Sequence, residues 1–422
     1  MNFSEAMSLQ LSSEQRAMAR GEAGPAAAWA IQQQLSVGQA LGATRLRPIR
    51  SVHAGAEIGT MGEAGLELVE WLVEQGARST VPTSTAACSV DFARAAGYGV
   101  PLQQIERERR LHRALERFGV IDVATCINYQ TLTPPRYGEH LAWGDTGAVA
   151  FANGVAGARS NYEGGPASIA AAITGLAPDY GYHQAEARLA SDVIEVRCRL
   201  DGTADWSALG AWVGTQLADY WRVPAIVLDD GQPQPSIDEL KHFAAAAASF
   251  GSIAMFHVVG ITPDAATLDA ACGNRPRQAQ HTVTRQALQG LFSQSLASGD
   301  KVDLVVFSAP QLSLGEVQRV LSRLGDRAVA AGTRLILTVN AQVEAEMRRL
   351  GWLERLERAG GGLLTGTCFY VMAPRDVRRH LGATTLLTPS AKLVNILSGA
   401  GYRTALATLD TCLDAAVLGY LP

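Results

Sequence analysis

The sequence predicts a layered α/β/α fold, and three observations carry that expectation. Short β-favouring apolar runs alternate along the chain with amphipathic stretches of helical period. Capping signals sit at the joins between them. With 422 residues, 47% of them apolar and 18% charged, the chain can also bury two or three sizeable cores.

The elements follow in order. "LSSEQRAMARGEAG" opens with a Ser-Ser-Glu cap signal, and "GPAAAWAIQQQLSVGQALG" carries proline in its first turn, so residues 1–50 read as mostly helical. "TRLRPIRSVHAG" predicts a strand ending at Ser51-Val52-His53. "GEAGLELVEWLVEQGA" predicts an amphipathic helix, and "RSTVPTSTAACSVD" a returning strand and loop. A helix over Pro101–Phe118, a strand in "GVIDVATCINY" and a loop to His140 come next. The glycine-rich stretch "AFANGVAGARSNYEGGPASIAAAITG" has neither a P-loop lysine nor GxGxxG spacing, so its small residues point first to close backbone packing. The Pro/Gly/Gln cluster Gly231–Pro235 divides the chain into an N-terminal α/β region, 1–230, and a C-terminal one, 236–422. In the second region "VDLVVFSAPQLSLGEVQRVLSRL" predicts a buried strand over Val302–Phe307, a turn at Ser308–Gln311 and a helix over Leu312–Leu324. The strand "TRLILTVN", the segments "AGGGLLTGTCFYV" and "LLTPSAKLVNILSGAG", and a cysteine-bearing helix complete the chain.

Charge and composition exclude several function classes. Thirty-six basic against forty acidic residues give a net charge of −4 with no basic stripe, which argues against nucleic acid and anionic membrane surfaces as partners. No apolar run is long enough for a membrane span and the N-terminus lacks a signal-peptide pattern, so the expectation is a cytoplasmic protein with a small-molecule substrate. The six cysteines are far apart, with no CxxC pair, which disfavours a disulfide scaffold or a zinc knuckle.

Candidate chemistry lies at the predicted carboxyl ends of strands, where open α/β sheets present ligands. Cys126 and Cys368 each follow a threonine after an apolar run. His53, His140, His183 and His257 sit beside glycine, acidic or strand-end signals. Glu163 precedes Gly164 and Gly165, which leave room for a ligand. Glu139 and Asp145 flank His140. Lys392 falls in the first turn of a helix after Ser390, placed to meet a carboxylate. A turn of Ser308, Ala309, Pro310 and Gln311, by contrast, offers no reactive group at the end of a well-formed strand.

The motifs "IRSVHAG", "TVPTSTAACSVD", "ATCINYQ", "YGEHLAWGDTGAVAFANGVAGARSNYEGGPASIAAAITG", "DYGYH", "MFHVVGITPDA", "GTCFYV", "TPSAKLVN" and "LDTCLDAA", in that order, make the chain resemble the large chain of the aconitase X family over nearly its whole length. The resemblance implies an aconitase-like catalytic body and a dehydratase, a hydro-lyase acting on a small hydroxylated acid. It implies an iron-sulfur cluster held by three cysteines, and a small swivelling domain that this chain lacks and a separate subunit would supply. Cys126 and Cys368 match two of the ligand positions. The third aligns with Ala309, so the metal site is expected to be altered or absent. Tyr162 stands where the family has arginine, Ala86 and Pro389 where it has asparagine, and Gln311 where it has histidine. The retained positions make His53, Glu163, His257 and Lys392 the candidate catalytic residues, with Tyr162, Gly164, Gly165, His140, Asp145 and Ser390 as substrate contacts. Three readings remain open: a dehydratase with an altered or missing cluster, a cluster-free relative in specialised metabolism performing elimination, isomerisation or cyclisation, and a non-catalytic subunit. Cys88 or a histidine as a substitute cluster ligand is a further alternative.

Overall fold

The computed structural model describes residues 9–277, 279–292 and 295–422. Three parallel sheets organise them. The first has the strand order Thr83–Thr85, Val52–Ala54, Ala142–Trp143, with Val52 opposite both Thr83 and Ala142. The second runs His257–Val258, Pro224–Leu228, Asp192–Arg197, Ala279–Thr284. The third runs Gly361–Thr365, Arg334–Val339, Leu304–Phe307, Thr385–Thr388, Arg403–Leu406. A small antiparallel pair, Leu46–Pro48 with Leu176–Pro178, closes the N-terminal part. Helices cover the sheets, as parallel strands buried on both faces require.

Local sequence explains most element ends. Ser12, Ser236 and Ser313 each accept a backbone N–H at the third helical residue, while Gln15, Glu239 and Glu316 return the bond in a capping box. Pro25 starts the helix Pro25–Ala40. The helix after the central strand begins at Leu314 and not at Leu312, because Ser313 is its cap.

Two expectations change. "GVIDVATCINY" forms no strand: Ile121 makes one bridge to Ser84, and Ala124, at φ 41°, turns the backbone into the left-handed region and breaks the ladder. Gly231–Pro235 does not separate two regions either. The second sheet takes strands from both sides of it, so this cluster is a loop inside one sheet.

The second sheet's covering helices, Gly202–Leu217 and Ile237–Gly251, pack backbone to backbone. A Cβ on Gly251 would lie 2.0 Å from the Gly214 carbonyl oxygen, so only glycine permits this approach. Helix Ile237–Gly251 then meets the third sheet through a buried ionic cluster. Lys241 donates to the Glu316 carboxylate and to the Gln311 carbonyl at 3.1 Å, and His242 Nε2 lies 2.8 Å from the other Glu316 oxygen. Burial would raise the Glu316 pKa, but Lys241 and His242 hold it well below the usual carboxylate range. Replacing Glu316 with alanine leaves the buried Lys241 with Asp238, at 3.6 Å, as its counter-charge. The expected cost is about 3–5 kcal/mol, read from the midpoint of urea unfolding.

Candidate active site

The third sheet reverses its winding between Leu304–Phe307 and Thr385–Thr388: the chain adds strands outward on one side of Leu304–Phe307 and then returns to its other side. Such a switch point opens a crevice at the carboxyl ends of the two strands. Ser308–Gln311 and Ser390–Lys392 line it. Ser390 caps the helix Ala391–Ser398 and its hydroxyl donates to the Ala309 carbonyl. Ala309 has φ 56°, in the left-handed region, and is followed by a cis bond to Pro310.

Two loops reach this crevice and bring the cysteines. Gln311 N–H donates to Cys126 Sγ at 3.2 Å, and the Ser308 hydroxyl lies 3.3 Å from Cys368 Sγ. The Gln311 side chain accepts from the Cys126 N–H at 3.3 Å and donates to the carbonyls of Ala124 and Thr367, both at 3.2 Å. The neighbouring Cys368 thiol and burial push the Cys126 thiol up. Burial opposes ionisation of Cys368 too, but the neighbouring Cys126 thiol, the bond to Ser308 and the Lys392 charge lower its pKa.

This donor set does not fit an iron-sulfur cluster. A cluster needs thiolates or their substitutes around the metal, and among the described residues no three His, Cys, Asp or Glu side chains converge as metal ligands. A buried alanine methyl stands at the third position, beside an amide fully engaged with backbone. Cys88 does not substitute; its thiol donates to the Val90 and Gly366 carbonyls at 2.9 and 3.0 Å.

Acid-base groups converge from the first sheet. Asp145 caps helix Thr146–Gly154 through the Ala148 N–H, at 3.0 Å, and its charge acts on His53, Glu57, Cys126 and Tyr370. Glu57 follows the strand Val52–Ala54 and is only 6% exposed. Thr60 donates to its Oε1 at 2.6 Å, while Oε2 has no partner. Burial raises its pKa to about 8. Tyr370, whose phenol burial and then the Cys368, Asp145, Cys126 and Glu57 charges push up, lies 5.6 Å under the Lys392 ammonium. Lys392 itself is 6% exposed. His53 is enclosed, with Nδ1 2.8 Å from the Ser84 hydroxyl and its ring edge against Trp143; burial lowers its pKa to about 4.

The other sequence candidates lie elsewhere. Glu163 faces a small void beside Gln33, Gln34 and Pro178, where burial raises its pKa to about 7; its backbone presses on Gly144 so closely that a Cβ there would meet the Glu163 carbonyl at 2.4 Å. Gly164 and Gly165 start the helix that runs to Thr174. His140 and His183 pair through Nδ1 atoms 3.0 Å apart, among Arg47, Arg159 and Asp179. His257 Nε2 is 2.8 Å from the Arg188 carbonyl. Tyr162 donates to the Ile253 carbonyl at 2.8 Å and packs on Tyr220. Sequence reasoning missed Glu57 and Tyr370. An acid directly after a strand, in the apolar "HAGAEIG", was the available signal for the first.

Comparison with known proteins agrees with this architecture. Residues 8–186, 190–293 and 302–418 match the first, second and third domains of aconitase X. The chain belongs to the aconitase X family. It is 33% identical to the phosphomevalonate dehydratase large subunit of Methanothermobacter thermautotrophicus, over 90% of this chain and 91% of that one. It is 36% identical to the cis-3-hydroxy-L-proline dehydratase of Pseudomonas aeruginosa, over 96% of this chain and 70% of that protein. The crystal structure of Thermococcus kodakaraensis aconitase X in its holo-form superposes with a TM-score of 0.87 at 28% identity, covering 97% of this chain and all of that one. These relatives make a dehydratase-like hydro-lyase the activity class of this aconitase X chain. No helix among its described residues is long and apolar enough to cross a membrane.

The protonated Glu57 has a consequence for stability. A carboxyl whose folded pKa is near 8 against an ordinary 4.5 stabilises the fold fully below pH 4.5, and that contribution fades as pH rises to 8. Glu57→Gln, neutral at every pH, should match the native protein at pH 4.5 and exceed it at pH 8 by roughly 2–4 kcal/mol. Chemical unfolding at the two pH values checks this.

Proposed function

We propose that this chain removes water from a small hydroxylated carboxylic acid by acid-base catalysis, without an iron-sulfur cluster. The observation that carries the reading is the grouping of Glu57, Asp145 and Lys392 around Tyr370, whose ring lies 5.6 Å from the Lys392 ammonium and whose phenol feels the Asp145 and Glu57 charges, Glu57 presenting a buried carboxyl with a free Oε2. Lys392 binds the substrate carboxylate and withdraws electron density from its α-carbon, which makes the α-proton more acidic. Asp145, partly exposed at the start of helix Thr146–Gly154, takes that proton. Glu57 delivers a proton to the departing β-hydroxyl, so that it leaves as water. His53 is fully enclosed and serves as a positioning residue behind Trp143 and Ser84.

The substrate is a carboxylic acid without phosphate on this reading. Tyr162, at a position where the family resemblance calls for arginine, spends its hydroxyl on the Ile253 carbonyl, so this chain has no guanidinium there to grip a second anion. A separate small chain completes the enzyme; the name "large subunit" borne by several relatives supports this.

Hydroxylated amino and carboxylic acids, with and without a phosphate, should be screened for water loss by mass spectrometry, with the chain alone and with its co-encoded small chain. Turnover of non-phosphorylated acids is expected. Glu57→Gln should lower kcat by about 10²–10⁴, and native activity should fall as pH rises through about 8. Lys392→Met should act chiefly on KM. Unchanged kcat in Glu57→Gln would remove Glu57 as the acid, and exclusive turnover of phosphorylated acids would overturn the substrate class.

A further inference from the structure

We propose that Cys126 and Cys368 form a redox-active dithiol that closes into an intramolecular disulfide in the presence of a peroxide. The inference goes beyond the elimination reaction and does not depend on it. It rests on how the two thiols are placed.

They come from loops 242 positions apart in sequence, 126 and 368, yet bracket the same four-residue turn, one bonded to the Gln311 N–H and the other to the Ser308 hydroxyl. Two thiols brought to one buried turn, each seated on an atom of it, are placed to react with each other. Gln311 ties the Ala124–Cys126 loop to the Thr367 carbonyl, so the loops carrying the pair are already fastened together. The other thiols are placed differently: Cys88 is bonded to the Val90 and Gly366 carbonyls, Cys412 to the Ala407 carbonyl, and Cys198 lies half-buried beside Arg285 and Asp205.

The chemistry balances with one peroxide. Hydrogen peroxide oxidises one thiol to a sulfenic acid and releases one water; the second sulfur attacks the sulfenyl sulfur, the S–S bond forms, and a second water leaves. The chain loses two hydrogens, the peroxide is reduced to two waters, and a dithiol reductant restores the starting state. The peroxide is small enough to enter a crevice whose thiols are nearly enclosed, Cys126 at 7% and Cys368 at 2% exposure. The linked form clamps both loops across the Ser308–Gln311 turn beside Lys392.

The test treats the full chain with a few equivalents of hydrogen peroxide, blocks free thiols, and maps peptides without reduction. A peptide pair linked through Cys126 and Cys368, released by dithiothreitol, is the expected product. It should persist in Cys88→Ser and Cys198→Ser and vanish in Cys126→Ser and Cys368→Ser. Sulfinic or sulfonic acid at either residue with no linked pair, linkage through Cys88, or modification confined to Cys198 would each overturn the proposal. The map of the native chain decides the matter even if a variant fails to fold.

Discussion

The side-chain amide of Gln311 is the interaction on which the centre of this molecule depends. It accepts from the Cys126 backbone and donates to Ala124 and Thr367, so a single planar group joins the switch-point turn of the third sheet to two loops from distant parts of the chain. Its backbone extends the same junction: the N–H meets Cys126 Sγ and the carbonyl receives Lys241. Removing it would leave buried donors and acceptors on both loops at once, and such groups cost far more unmade than they return when made. The family resemblance implies that metal and thiolates join these loops; here amide hydrogen bonds do.

That replacement changes what the site can do. A cluster stabilises a departing hydroxide through its own charge; on the proposed reading this crevice works instead with fixed dipoles and proton donors. Burial supplies the donor: with no cation bonded to it, Glu57 keeps its proton at neutral pH because the anion would be poorly solvated. Glu316, equally buried, is held ionised by Lys241 and His242. The two glutamates show how the same desolvation yields an acid in one place and a structural ion pair in another, decided by whether a cation is within reach.

Much of the fold was legible because strand and helix periods and capping residues are local signals. The Ser-Ser-Glu signal at Ser12 announced its helix, and the run at Leu304–Phe307 announced a buried strand. The failures were non-local. Ala124 turns left-handed within a run that reads as a strand, and Gly231–Pro235 reads as a linker although the sheet continues past it. At the candidate site, Asp145, Ser390, Lys392 and both cysteines carry the strand-end signal that singled them out in the sequence. Glu163 and His257 carried the same kind of signal yet point into other surroundings, since a strand end fixes where a backbone goes and not which way a side chain turns. Glu57 stayed hidden because its role comes from burial and from its distance to any cation, which no short motif encodes.

Iron and acid-labile sulfide content, measured with the visible absorption spectrum on a catalytically active preparation purified without oxygen, tests the central claim most directly. The account predicts substoichiometric iron and sulfide, no cluster absorption, and activity that survives a chelator. Stoichiometric iron and sulfide, lost together with activity on chelation, would contradict it and return the chemistry to a metal held by ligands other than those at Ala309.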